Sequence, residues 1–246
     1  MKFHRTVKEM TAIVDTRITE KMRRSLMLRG FSIIELPPFL SLGEAVRSHP
    51  DTLIFRVGEC VVSSAEYAEA APFVFTDLRD RVKSLKITFS DDTLSSAYPS
   101  DCAYNALVIG ESVFCRTGSI SHAVLHLAKS QGKTIVDVKQ GYPACSTLAL
   151  GDNAAITADK GMAKAMREHG IRVYEIEQGN IALPPHEYGF IGGACGVFRD
   201  KVYFFGNYKS HPSRDILERA MDSEGFSPVS LSDEPLMDLG GILFFD

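Results

Sequence analysis

Asn153-Ala-Ala-Ile-Thr-Ala-Asp159, then Lys160 to His169, Gly170 and Ile171-Arg-Val-Tyr-Glu-Ile-Glu177, is the stretch on which the fold turns. Its two ends are short apolar runs of the kind that make strands. Between them Met162, Ala165 and Met166 recur at helical spacing, giving one apolar helix face. Gly170 stands where a left-handed helix C-cap is expected, and His169 occupies the last turn, at the negative end of the helix dipole. Just upstream, Thr147-Leu-Ala-Leu150 runs into Gly151-Asp152, a tight turn in which glycine supplies a positive φ. The predicted unit is a hairpin, a helix and a returning strand.

Working outward, four more copies appear. Thr11–Asp15 leads to a helix over 19–29, Gly30 and the run Phe31–Leu36. Glu59–Ser63 leads to a helix from Ala65 and the run Leu85–Phe89. Ser112–Arg116 leads to a helix over 121–130, Gly132 and Thr134–Val138. Lys201–Gly206 leads to a helix over 213–223, Gly225 and a strand near Pro228–Leu231. Gly58-Glu59, Gly110-Glu111 and Arg199-Asp200 repeat the turn, at intervals of roughly 40 to 50 residues that suit a propeller-like repeat. The last strand, Gly241–Phe245, is expected to pair with Thr11–Asp15 and close the ring. An ordinary doubly wound sheet alternates single strands with helices, whereas here most helices follow two strands joined by a tight turn. The expected fold is therefore α/β: five ββαβ units in a closed ring with pseudo-fivefold symmetry. They form one domain over 1–246 with approximate units 11–50, 51–100, 101–140, 141–188 and 189–246.

Composition sets bounds on function. The 246 residues carry 45% hydrophobic and 24% charged side chains, ordinary for a globular protein. A net charge of −4 and the lack of any basic run argue against a nucleic-acid surface. The start, Met1-Lys-Phe-His-Arg-Thr6, has no apolar signal stretch, and no apolar run is long enough to span a bilayer. A cytoplasmic protein with reduced thiols is expected. The five cysteines (Cys60, Cys102, Cys115, Cys145, Cys195) form no C-x-x-C pair, so no metal or redox site is read from them, and no cofactor is expected.

Five ββαβ units resemble the pentein fold of agmatine deiminases, dimethylargininases, arginine deiminases and amidinotransferases, shared by the non-catalytic initiation factor 6 group. The resemblance is most specific from about Asn105 onward. Agmatine deiminases end on Gly-Gly-Gly-Gly-Ile-His-Cys-Ile-Thr, whereas this chain ends on Asp238-Leu-Gly-Gly-Ile-Leu-Phe-Phe-Asp246, which puts Phe244 at the nucleophilic cysteine. Their Gly-His-Ile-Asp matches Gly189-Phe-Ile-Gly192, so Phe190 stands for the histidine and Gly192 for the aspartate. Gln140-Gly-Tyr142 and Gln178-Gly-Asn180 partly echo their Glu-Gly-Gly. The resemblance implies a guanidino-type ligand. Attack on a guanidinium carbon needs a thiolate and a proton carrier, and two phenylalanines supply neither.

Three readings stay open. The first is a pentein-fold small-molecule binder without the usual deiminase mechanism, its axial pocket open or filled by Phe190 and Phe244. The second is a hydrolase or transferase on guanidino or amide substrates that uses a displaced thiol, Cys145 or Cys195, with His186 of the loop Leu183-Pro-Pro-His-Glu-Tyr-Gly189. The third binds a protein partner or a second copy through a face of the ring. Cys102, Cys145 and Cys195 each precede a unit's turn and converge on one axis if the ring holds; the alternative is that they are small core residues. Asp15, Asn105, Tyr142 and Asn180 are the polar candidates for ligand contact, with Asn207 also near a strand end. His122 and His126 share a helix face without the glutamate of a zinc motif. His4, His49 and His211 suggest local roles.

Overall fold

The computed structural model describes residues 10–246; His4 and the rest of the amino-terminal stretch lie outside them. The chain forms five three-stranded sheets. The first unit is β1 (Met10–Asp15), α1 (Glu20–Met27) and β2 (Phe31–Leu36). The second runs α2 (Pro50–Leu53), β3 (Ile54–Val57), β4 (Cys60–Ser64), α3 (Ala65–Ala70), α4 (Pro72–Arg81) and β5 (Lys86–Ser90), Pro72 breaking the single helix expected there. The third is β6 (Leu107–Ile109), β7 (Ser112–Cys115), α5 (His122–Ser130) and β8 (Thr134–Asp137). The fourth adds a one-turn helix, α6 (Pro143–Ser146), before β9 (Thr147–Leu150), β10 (Ala154–Thr157), α7 (Lys160–Glu168) and β11 (Arg172–Glu175). The fifth is β12 (Cys195–Phe198), β13 (Lys201–Phe204), α8 (Arg214–Ser223) and β14 (Ser227–Ser230), and β15 (Leu243–Phe245) ends the chain.

Each sheet repeats one pattern. Two antiparallel strands, joined by a tight turn in every sheet but β15–β1–β2, are extended by a helical crossover that brings the third strand parallel to the middle one, as in β9–β10–β11. The turns carry left-handed residues at Gly58, Gly110, Gly151 and Arg199. Side chains start the helices: Thr19, Ser64, Ser121 and Asp159 accept backbone N–H bonds in the first turn, each worth about 1 kcal/mol. β15 pairs antiparallel with β1, Phe244 opposite Ala12, so the two ends of the chain share one sheet.

Apolar clusters bridge neighbouring sheets. Met162, Met166 and Ile171 of the fourth unit pack with Leu107, Phe114 and Val136 of the third. Val202, Phe204 and Leu217 join Leu148 and Ile156, and Phe205 and Tyr203 join Val14 and Met22. The inner ends of the sheets are entered by short turns, not long helices. Those turns carry the polar residues described next.

Candidate functional site

α6 begins with Pro143 at its first position and is a single turn, which puts Cys145 two residues before β9. Cys145 is buried, and its Sγ donates to Asp51 Oδ2 at 2.6 Å. Asn105 Nδ2 donates to the same sulfur at 3.2 Å, while Asn105 Oδ1 accepts Ala144 N–H at 2.9 Å. One amide thus clamps both the thiol and its backbone. Asp51 comes from α2, the equivalent short helix of the second unit, and its own N–H bonds Gly240 O at 3.2 Å.

His49, the residue that caps α2, is fully buried. Its Nε2 lies 3.8 Å from Asp15 Oδ2, and its Nδ1 lies 4.0 Å from Asp51 Oδ1 and 3.9 Å from Asp238 Oδ1. Burial, with a smaller push from the Arg17 guanidinium, holds His49 well below the usual imidazole range. The ring is neutral and these approaches are not ion pairs. Both of its nitrogens lack a hydrogen-bond partner. Asp15 is balanced separately by Arg17, whose Nε and Nη2 grip it at 3.0 and 2.6 Å and whose Nη2 also reaches Ala45 O. Asp238 accepts Phe190 N–H and Gly240 N–H at 2.8 and 3.0 Å.

His49, Cys145 and Asp238 belong to the wall of a cavity of about 510 Å³, lined also by Tyr98, Gln140, Tyr142, His186, Glu187, Tyr188, Phe190, Val46 and Leu183, with Asp51 behind Cys145. Desolvation and uncompensated negative charge dominate its electrostatics. Burial, then Asp238, pushes the Asp51 carboxyl well above the ordinary carboxylate range. Burial, then Asp51 and Asp238, pushes the Cys145 thiol up as well. Asp238 rises to about 6, burial outweighing its two N–H bonds. An opposite charge entering such a site reverses these shifts.

Of the residues singled out from sequence, Cys145, Asn105, Tyr142, His186 and Phe190 gather here. Tyr142 donates to Asp101 Oδ2, and the exposed His186 sits on the rim. The other two thiols do not converge on the cavity. Cys195 Sγ bonds Ile191 O at 3.1 Å inside an apolar cluster, and Cys102 bonds Pro99 O. Asn180 is an exposed left-handed turn residue away from the cavity lining. Asp15 stands behind His49 and is not part of the lining. Phe244 packs among Phe31, Phe198 and Tyr203, so it does not plug the cavity. Gly192 touches the site through backbone alone: a Cβ there would meet Ala144 O at 2.1 Å and Cys145 O at 2.8 Å. His49, given only a local role by the sequence, is the centre of the cluster together with Asp51 and Asp238. The signal was present in the paired glycines, because a Cβ on Gly240 would lie 2.3 Å from His49 Cβ. The expectation of no metal site considered cysteines by spacing alone; in space, ligand atoms of His49, Asp51 and Cys145 lie within 4.8 Å of one another.

Solved structures place this architecture in a class. A dimethylarginine dimethylaminohydrolase adduct superposes with TM-score 0.57 at 12% identity over 92% of both chains. The enzyme of the same kind from Pseudomonas aeruginosa, a mutant complexed with citrulline, gives 0.57 at 11% over 92% of both. Inosamine-phosphate amidinotransferase from Streptomyces griseus gives 0.55 at 12%, covering 92% of this chain and 78% of that one. The protein has the pentein fold. A model for a family of unknown function (DUF6873) matches residues 13–243, and the chain belongs to that family. No curated protein matches it in sequence. Among the described residues no helix is long and apolar enough to cross a membrane.

Proposed function

We propose that the cavity binds a guanidino or closely related amide-type cation and that Cys145 attacks its central carbon. The observation that carries this reading is the Cys145 Sγ to Asp51 Oδ2 contact of 2.6 Å, with Cys145 and the buried Asp238 both lining the cavity. The five sheets are read as a ring closed by the β15–β1 pair, in one domain, with the cavity on the axis. Solved structures of similar fold hold citrulline and a covalently bound reaction intermediate, which supports the ligand class.

A protonated thiol beside two carboxyls is inert while the site is empty of a cation. A guanidinium entering between Asp51 and Asp238 favours the ionised carboxylates. Asp51 then takes the thiol proton as Sγ bonds to carbon. The C–N bond to the leaving amine breaks as that nitrogen takes a proton, with His49 as carrier. Water then adds to the carbon, and sulfur leaves as the thiol after regaining a proton. His186 and Glu187 on the rim meet the distal end of the ligand.

The test is a thermal-shift and turnover screen with arginine, agmatine, methylated arginines and guanidinoacetate. A ligand at about a hundred times its Kd adds roughly 2.7 kcal/mol to stability. A shift with turnover lost in Cys145→Ala supports the reading. A shift without turnover reduces it to a binder. No shift and no turnover with any of them sinks it.

A further inference from the structure

Among the described residues, His49 stands out for its unsatisfied buried polar atoms. It is fully buried, yet neither ring nitrogen donates or accepts a bond, and Asp51 Oδ1 opposite its Nδ1 is also without a partner. Such groups normally find a protein or solvent partner. The ligand atoms of His49, Asp51 and Cys145 lie within 4.8 Å of one another. Around a tetrahedral zinc ion with bonds of about 2.0–2.3 Å, neighbouring ligand atoms are about 3.3–3.8 Å apart. The separation of 4.0 Å between His49 Nδ1 and Asp51 Oδ1 needs a few tenths of contraction to fit, and a pair at the 4.8 Å limit of the set would need about 1 Å.

We infer that His49 Nδ1, Asp51 Oδ1 and Cys145 Sγ bind one divalent ion of borderline softness, with Zn²⁺ the best match. The mixed nitrogen, oxygen and sulfur donor set selects for zinc or its neighbours and against magnesium and calcium. Asp238 Oδ1 lies 3.9 Å from His49 Nδ1, and each of its oxygens accepts a single N–H bond, so the carboxyl keeps lone pairs free to hold a water in the fourth position. On binding, the thiol proton now shared with Asp51 Oδ2 leaves to solvent and sulfur coordinates as thiolate. No comparable set forms elsewhere among the described residues: His122, His126 and Cys60 line one surface groove, but their donor atoms do not converge.

The ion holds the sulfur that the proposed chemistry needs, so the metal competes with a guanidino ligand and with alkylation of Cys145. Metal binding itself does not depend on the catalytic reading. The experiment uses the full chain stripped with chelator and titrated with Co²⁺ and Zn²⁺. Expected is one equivalent of Co²⁺ with a thiolate-to-cobalt charge-transfer band, and slowed alkylation of Cys145 when Zn²⁺ is added. Cys145→Ser should lose the band, His49→Ala should weaken binding at least about tenfold, and His186→Ala should bind as the parent does. A parent protein without the band overturns the inference, whatever the variants do, and so does binding unchanged in both His49→Ala and Cys145→Ser. Turnover by a chain that shows no cobalt band defeats the metal site alone. A cobalt band, together with no turnover by the metal-stripped chain, defeats the catalytic reading alone.

Discussion

Cys145 and Cys195 occupy parallel places in neighbouring units, each in the chain that enters an innermost strand, yet their environments are opposites. Cys145 lies in a helical turn two residues before β9 and points its sulfur at Asp51 and Asn105. Cys195 is the first residue of β12, paired with Phe204, and its sulfur returns to Ile191 O within an apolar cluster. Both thiols are pushed up by burial. What separates them is the neighbour: Cys145 has a carboxyl acceptor and opens on a cavity, and Cys195 has neither. The surroundings of each thiol are set by what the other units bring to it.

The sharpest way to break this comparison is to remove each sulfur in turn. Cys145→Ala should abolish turnover of a guanidino substrate, by at least about 10³-fold, since nothing nearby replaces the nucleophile. Cys195→Ala should keep activity within a few-fold and lose about 1 kcal/mol of stability, read by denaturant unfolding. Equal rate losses in the two variants would erase the distinction.

The two histidines extend the contrast. His49→Ala should cost on the order of 10²-fold in kcat as a lost proton carrier. His186→Ala on the rim should move mainly KM. Steady-state kinetics of the pair decide which histidine serves the thiol, and a larger kcat loss in His186→Ala would reverse the assignment.

A pH experiment probes the charge that marks the Cys145 side. Asp238 has its pKa raised to about 6 by burial, so the folded chain holds this proton more tightly than the unfolded one. Its contribution is fully present below about pH 4 and is lost as pH rises through about 6. A shift of this size corresponds to roughly 3 kcal/mol. Asp238→Asn should therefore gain stability relative to the parent on going from pH 4 to pH 8, and a pH-independent difference would contradict the buried carboxyl.

The smallest expected effect tests how tightly the fifth unit presses on the Cys145 turn. A Cβ at Gly192 would come within 2.1 Å of Ala144 O. Gly192→Ala should cost about 1–3 kcal/mol of stability as the turn is displaced, seen as a lower thermal midpoint. Unchanged stability would mean that the α6 turn is free to move.

Much of this architecture was readable from local chemistry. The helix at Lys160–Glu168 and its cap Gly170 fall within one residue of expectation, because apolar spacing and a left-handed glycine act over a few residues. The turns at Gly58, Gly110 and Gly151 were legible for the same reason. The motif register put Phe244 at the nucleophile's place without showing which way its side chain points. Successive strand residues point to opposite faces, so Leu243 borders an inner cavity while Phe244 joins the aromatic cluster between β1 and β13.

The order of strands, helices and turns and the five repeated units were readable from residues close together in the chain. The site was not, since Asp51 and Cys145 are 94 residues apart and meet only when two units bring their short helices to a common centre. His49 looks like any loop histidine until Gly240, Asp238 and Asp15 close around it. Burial then adds its part: it strips water from those carboxyls, the imidazole and the thiol, and so shifts the titration of side chains that, in an extended chain, would be ordinary.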